Sequence, residues 1–572
     1  MYNDKCYFIL KDGLLTLGND VFSTEFSDIS EVSGERIIPK SRSLPYYEVK
    51  GIKNDGAHCR YQIWDGLPAV RIVEGAPDPI IVFNGEHFTI RAVHLNAFSD
   101  DRDTTVSENE YSLFKKGLME PLYGEIFFLE DVETENAFVV ISETPDSIHG
   151  KLTVPIDEYP NELGYGRIHL ENGGYPVVIG YCKRGQCEEL CRRYLRHANN
   201  CKSLIAMSNT WGDRNGRTRI CEEFIIREIE AAGELGIDVM QIDDGWQMGN
   251  TLIPAQRDEG GAQIFYDGYW DINSERFPNG IKPLSDKAAT LGVKLGLWFG
   301  PYSHECFGKL ERDKKIFRKA YKEDGARFFK LDMYQAPTKA HTDKMEELLS
   351  SIYSLGDDVS VQMDITRGGR LNYLCGREYG TIFAENRYFA SMYAYYPHRV
   401  LRNLWNFSRY IPTNRFQFEM INPDLGEKVS SDPFSPWLYD MDYLFASVMM
   451  SNPLLWFELQ HLPENRRAEL KPLLEIWKEH RLALSSSDVV PIGERPSGRS
   501  FTGFFASNED GDKYLLLFRE VTNESTGVFR FPVEKSECQI LASNGDVDIK
   551  VDNGAVTATF AKPRCYAFVK LK

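Results

Sequence analysis

The sequence has no run of eighteen or more apolar residues, so nothing in it reads as a membrane-spanning helix. Its N-terminal apolar stretch, Cys6–Leu10, is too short for a secretory leader, and the chain reads as cytoplasmic, with no membrane partner. Positive charge is also in short supply. Sixty-six Lys and Arg face 84 Asp and Glu, a formal net charge of −18, which disfavours a phosphate-tracking surface and argues against nucleic acid as partner. Cysteines number 11, an odd count scattered along 572 residues, which suits reduced thiols and not a disulfide framework. Cys182, Cys187 and Cys191 have spacing that could offer three metal ligands, yet no fourth is near in sequence, so buried thiols are expected and neither metal nor cofactor is assigned.

What is present is the balance of a globular chain: 42% hydrophobic, 26% charged and 13% aromatic residues, long enough for about three domains. Residues 1–200 alternate β-branched and aromatic runs with turn dipeptides such as Asp12-Gly13 and Asp65-Gly66, which predicts a large β-sandwich. Residues 488–572 repeat the pattern as a small C-terminal antiparallel β-sandwich, with Asn544-Gly545 and Asn553-Gly554 as hairpin turns.

Between them, in 201–487, eight short apolar runs alternate with amphipathic helical stretches. The runs are 204–208, 239–242, 293–298, 328–331, 359–363, 381–384, 416–420 and 454–457. Eight such units over this length predict a central (β/α)8 TIM barrel, making the whole chain a multidomain protein with a β-sandwich on either side of it.

A barrel of this kind carries its chemistry where the strands end. Here those ends hold Trp211, Asp243, Asp244, Trp246, Trp298, Lys330, Asp332, Asp364, Arg370 and Glu385. Indoles stack on the apolar faces of sugar rings, and carboxylates accept from hydroxyls, so the set points to an oligosaccharide or glycoside as partner. Glycosidic cleavage needs two carboxyls, and Asp332 and Glu385, two βα units apart, form the natural pair. A strand-end carboxylate can instead cap the next helix or pair with an arginine.

Asn209–Trp211, Asp243–Trp246, Phe277–Leu284, Gly296–Phe299, Phe329–Asp332 and Gly368–Arg370 resemble, in order and spacing, the motifs of glycoside hydrolase family 36, the α-galactosidase and raffinose synthase group. The resemblance implies a retaining enzyme with an N-terminal supersandwich, a barrel and a C-terminal sandwich. It implies Asp332 as nucleophile, Asp243 and Asp244 as holders of the outer sugar hydroxyls, Trp246 and Trp298 as apolar walls, and Lys330 as a sugar ligand that keeps Asp332 ionised.

The sequence departs from that pattern at several points. Glu385 stands where the family has its acid aspartate, Asp364 where it has a cysteine, Arg367 for a glycine, Asn372 for an aspartate and Tyr302 for a glutamate. Asp364 is thus a second candidate for the proton donor. The resemblance implies an α-galactosidase, with a raffinose-synthase-like transglycosylase, an α-N-acetylgalactosaminidase or another α-glycosidase as alternatives and a non-catalytic sugar-binding protein as a further one. A homo-oligomer is left open.

Overall fold

The computed structural model describes the chain apart from residues 1–4, 41, 76–79, 85–86, 96–105, 115–120, 146–149, 154–164, 200, 202, 213–215, 251–264, 367–368, 384–394 and 426–430. Eight parallel strands close into a barrel: Met207–Asn209, Val239–Ile242, Lys294–Phe299, Phe328–Leu331, Ser360–Asp364, Thr381–Phe383, Phe416–Met420 and Asn452–Leu455. Closure is made by the first strand, whose Met207 pairs with Val239 on one side and Leu454 on the other. Met207, Val239, Phe328, Phe383, Leu454 and Trp456 fill the inside as one apolar cluster. The barrel is therefore a packed core, and ligand access is left to its ends.

The helices outside follow from amphipathic spacing. In Glu222–Leu235, Phe224, Ile225, Ile229, Ala232 and Leu235 are buried, a stripe at intervals of three and four. Lys339–Tyr353 buries Met345, Leu348, Leu349 and Ile352 in the same way and begins at Thr338, whose side chain accepts from the His341 amide.

The N-terminal region is more layered than a single sandwich. A nine-stranded antiparallel sheet carries a four-stranded and a three-stranded sheet. Alternation along Ile126–Asp131 shows how: Phe127 and Leu129 pack with Leu152, Ile168 and Leu170 of the four-stranded sheet. Ile126 and Phe128 point the other way and join the main core with helix Cys187–Ala198 and the barrel. Leu15 and Leu17 of the three-stranded sheet cover Val49, Tyr61, Ile63 and Val70 further along.

The C-terminal region pairs a five-stranded with a three-stranded sheet. Asn553-Gly554 closes a hairpin in which Asp552 faces Ala555, as expected. Asn544-Gly545 does not. It joins Cys538–Ser543 of the larger sheet to Val547–Asp552 of the smaller one. Asn544 is there as an anchor: its amide nitrogen donates to Asp440 Oδ2 at 3.2 Å and to the Arg564 carbonyl at 3.0 Å, while its oxygen accepts from the Tyr566 amide at 3.0 Å.

Candidate active site

The barrel strands deliver their polar ends to one mouth. On the fourth strand Lys330 is in register with Trp298 of the third and Gln362 of the fifth, and Asp332 follows two residues on. The first and second strands meet through Asn209, whose side-chain amide donates to Gln241 Oε1 at 2.9 Å and Asp243 Oδ2 at 2.8 Å. Two glycines permit the close approach. A Cβ on Gly212 would lie 1.9 Å from the Trp456 carbonyl oxygen, and Gly245 holds φ +127° with Arg217 packed where its Cβ would be.

Asp332 is the best-organised carboxylate of the set. Its Oδ1 accepts from the Met333 amide at 2.6 Å and faces Arg370 Nη1 at 2.8 Å, and its Oδ2 accepts from Trp298 Nε1 at 3.0 Å. The Met333 amide reaches back because Met333 sits in the left-handed region at φ 58°, a strained conformation for a non-glycine residue. Burial alone would push the Asp332 carboxyl up. Arg370 and Lys330, with the indole and amide donors, hold it below the usual carboxylate range instead. Its side chain keeps 20% of its surface exposed, whereas Asp364, Arg370 and Lys330 keep 6% or less. Asp332 is an ionised carboxylate at the opening, backed by buried cations.

Behind it the charges alternate. Arg370 Nη1 also donates to Asp364 Oδ1 at 2.9 Å. Lys330 Nζ lies 3.4 Å from Asp364 Oδ2 and donates to Asp243 Oδ2 at 3.2 Å. Burial and the nearby Asp332 charge push the Asp364 carboxyl up, partly offset by Lys330 and Arg370. Burial likewise raises Asp243 against the pull of Lys330. Lys330 would lose its proton more readily through burial, but Asp243, Asp364 and Asp332 together raise its pKa.

The sequence-derived residues are thus largely brought together: Asp243, Lys330, Asp332, Asp364, Arg370 and Trp298 form one contiguous network. Asp244 adjoins it and accepts from Gln247 Nε2 at 2.5 Å, with Arg217 3.9 Å away. Neither aspartate of this pair caps a helix, since the next helix after them along the described chain is Lys282–Thr290. Trp246 is buried, donates its indole N–H to the Trp298 carbonyl at 3.0 Å and packs on Phe299, so it sets the position of Trp298. Trp211 packs half-buried against the interior cluster. Glu385 and Arg367 lie outside the described residues.

Two departures from the family pattern have clear structural positions. Asn372 is buried and its amide donates to the Pro145 carbonyl, so it ties the barrel to the N-terminal region. Tyr302 is buried with its amide donating to Asp313 Oδ2 at 2.7 Å.

The sequence reading missed three contributors. Trp456, just past the eighth strand, places its ring 5.1 Å from Lys330 Nζ, and Phe383 lies 5.6 Å from the same nitrogen. Thr366 donates its hydroxyl to Asp364 Oδ1 at 2.7 Å and its amide at 3.1 Å. Trp456 could have been found from its strand-end position, but the run Leu454–Phe457 reads as continuous core. Among the described residues no group of three or more His, Cys, Asp or Glu is arranged to hold a metal. The Cys182 and Cys187 sulfurs are 3.7 Å apart, and every cysteine is a free thiol.

Comparison with known proteins agrees with this geometry. Residues 200–319 match the melibiase family model. The α-galactosidase AgaA of Geobacillus stearothermophilus is 34% identical over 80 residues, covering 14% of this chain and 10% of that protein. An Escherichia coli α-galactosidase is 30% identical over 79 residues, 14% of this chain and 10% of that one. The aligned stretch thus spans about a tenth of the length of these curated relatives. The crystal structure of the Geobacillus enzyme, described as a GH36 α-galactosidase, superposes with a TM-score of 0.67 at 13% identity over 95% of this chain and 87% of that one. A variant of it in complex with raffinose superposes with a TM-score of 0.66 at 13% identity, over 96% and 88% of the two chains. The chain thus has the fold of the glycoside hydrolase family 36 α-galactosidases along its length and resembles the melibiase family in sequence over the first half of its barrel.

Proposed function

We propose that the protein is a retaining α-glycosidase that releases terminal α-galactosyl-type residues by double displacement. The observation that carries the reading is Asp332: a carboxylate kept ionised by Arg370 and Lys330, aimed by Trp298 and Met333, and left open at the barrel mouth. An attacking carboxylate has to be charged and held in one orientation before the sugar arrives. The raffinose complex of the structural relative supports an oligosaccharide as the substrate class.

In the first step Asp332 attacks the anomeric carbon and the leaving oxygen takes a proton; in the second, water attacks from the side the leaving group vacated. Asp243 and Asp244 accept hydrogen bonds from the outer hydroxyls, and Lys330, between Asp243 and Asp364, donates to the ring. Glu385 supplies and then removes the proton. Asp364 is less suited to that task, because its Oδ1 already accepts from Arg370 and Thr366 and its Oδ2 faces Lys330. Its place beside Arg370 supports a role in holding the arginine against Asp332.

Nitrophenyl α-glycosides test the assignment directly: galactoside, N-acetylgalactosaminide, glucoside and arabinopyranoside. Turnover greatest on the galactoside and absent in Asp332→Asn supports the reading. Preference for another glycone replaces the sugar assignment, and sugar binding without turnover makes the protein a lectin on a glycosidase fold. Raffinose as both donor and acceptor separates hydrolysis from transfer, since transfer to a second raffinose gives a longer oligosaccharide and sucrose, whereas hydrolysis gives free galactose and sucrose.

A further inference from the structure

A cavity of about 230 Å³ lies away from the barrel mouth, between the N-terminal sheets and the connection that follows the fifth barrel strand. The sandwich contributes Tyr46, Arg60, Arg71 and Val73, and the barrel contributes Glu346, Leu374, Arg377 and Tyr379. Its size is below the roughly 300–1,000 Å³ of drug-sized pockets, so it accommodates one sugar ring and not an oligosaccharide.

Its charges cancel. Arg60, Arg71, Lys339 and Arg377 are matched by Glu143, Asp343, Glu346 and Glu378. Most are already paired: Arg71 and Arg377 share Glu143, Arg377 also donates to Glu378 at 3.0 Å, and Lys339 bonds to Asp343. A cavity with no net charge has no electrostatic reason to select a phosphate or a metal ion. Polar atoms are nevertheless left over. Arg377 is 2% exposed, yet its Nη2 donates no hydrogen bond among the described residues, and Arg60 Nε reaches only the Glu74 carboxylate, in a long ion pair at 3.8 Å. A buried guanidinium N–H without an acceptor carries its full desolvation cost, which favours an occupant that supplies one. Among the described residues Glu346 Oε1 accepts only a 3.3 Å bond from the Gly376 amide, and Glu346 lines the space, so carboxylate acceptors also face it.

We propose that this cavity is a second binding site, for a single neutral saccharide ring whose hydroxyls accept from Arg377 and Arg60 and donate to Glu346. Tyr46, Val73, Leu374 and Tyr379 supply apolar wall for the ring's C–H face. Arg370 at the mouth and Arg377 at the cavity are on the same connection, seven residues apart. The site does not depend on the catalytic assignment.

Equilibrium dialysis of the full chain against labelled galactose and, separately, labelled glucose tests it, comparing wild type with Arg60→Met and with Val73→Trp, which fills the space. Each variant should bind one equivalent fewer of at least one sugar, or bind that equivalent at least tenfold more weakly, with aryl-galactoside turnover unchanged. Arg60 is partly exposed, so its variant tests the site even if Val73→Trp does not fold. Unchanged equivalents in Arg60→Met and in any folded Val73→Trp protein overturn the proposal, as does wild type binding neither sugar. Displacement of the variant-sensitive equivalent by an equal concentration of inorganic phosphate would make the cavity an anion site and overturn it too.

Discussion

Two buried arginine–carboxylate clusters on one stretch of chain differ in what they leave open. At the barrel mouth Arg370 bridges Asp332 and Asp364, and Asp332 keeps a fifth of its surface exposed. At the joint with the N-terminal sheets, Glu143 accepts from Arg71 at 2.9 and 2.7 Å, from Arg377 at 2.6 Å and from the Tyr194 hydroxyl, and it is 2% exposed. The residue types are nearly the same. Burial pushes against ionisation in both, and the guanidinium groups win in both, taking Glu143 down to about 2. The joint consumes the carboxylate's hydrogen-bonding capacity in holding two layers together. The mouth uses three donors to aim a carboxylate and leaves its approach free, and that difference separates a structural ion cluster from a reactive one.

The largest effect that sharpens the contrast is Asp332→Asn. Turnover should fall roughly 10⁴-fold or more while thermal unfolding stays close to wild type. Assays on activated and unactivated galactosides, beside a melting curve, check both halves; residual turnover in a pure sample places the nucleophile elsewhere.

Glu143→Ala should do the reverse. It strands two buried guanidinium groups, and loss of one partner from such a cluster costs about 3–5 kcal/mol. Denaturant unfolding should register that loss, while activity per folded molecule stays within a few-fold of wild type.

The same carboxylate sets an acid dependence. Its folded pKa of about 2 lies below the ordinary 4.5, so its stabilisation is complete above about 4.5 and is lost as pH falls from there toward 2. That loss is on the order of 3 kcal/mol. Stability measured from pH 5 downward should fall more steeply in wild type than in Glu143→Gln, and equal slopes would remove Glu143 from the account.

A smaller effect is expected at the mouth from Arg370→Met. Without the cation at 2.8 Å, the Asp332 carboxyl rises, and the acidic limb of kcat/KM should move to higher pH. Smaller again, Asp244→Ala should weaken galactose binding by about 1.5–3 kcal/mol, the worth of one charge-assisted hydrogen bond. A limb that does not move, or unchanged affinity, would confine that residue to packing.

Much of the barrel and of its mouth is legible in the sequence, and the exceptions have physical causes. Barrel strands Val239–Ile242, Phe328–Leu331 and Phe416–Met420 have the bounds their apolar runs announce. The first strand begins at Met207 and not at 204, because the Ile205 and Ala206 amides donate to the side chains of Asn452 and Asp238 in place of a ladder. The eighth begins at Asn452, ahead of its apolar run and through Pro453, which sequence rules read as a strand breaker. Asn544-Gly545 has hairpin composition but serves a crossover between sheets, a choice made by distant contacts to Asp440 and Tyr566.

At the site, Lys330 and Asp332 were readable from their spacing on one strand, and Arg370 and Asp364 from their strand-end positions. The joint was not readable at all. Glu143 and Arg377 are 234 residues apart, and no periodicity links a carboxylate in one sheet to an arginine in a distant connection.

The central claim is that Asp332 forms the covalent bond to the sugar. Incubation with a 5-fluoro-α-galactosyl fluoride, followed by proteolysis and mass spectrometry, tests it most directly, because the ring fluorine slows both steps while the fluoride leaving group keeps the first fast enough for the intermediate to accumulate. The account predicts one fluorogalactosyl unit added per chain, on the peptide containing Asp332 and on that side chain. A label on any other carboxylate, or turnover with inversion at the anomeric carbon and no label, would contradict it.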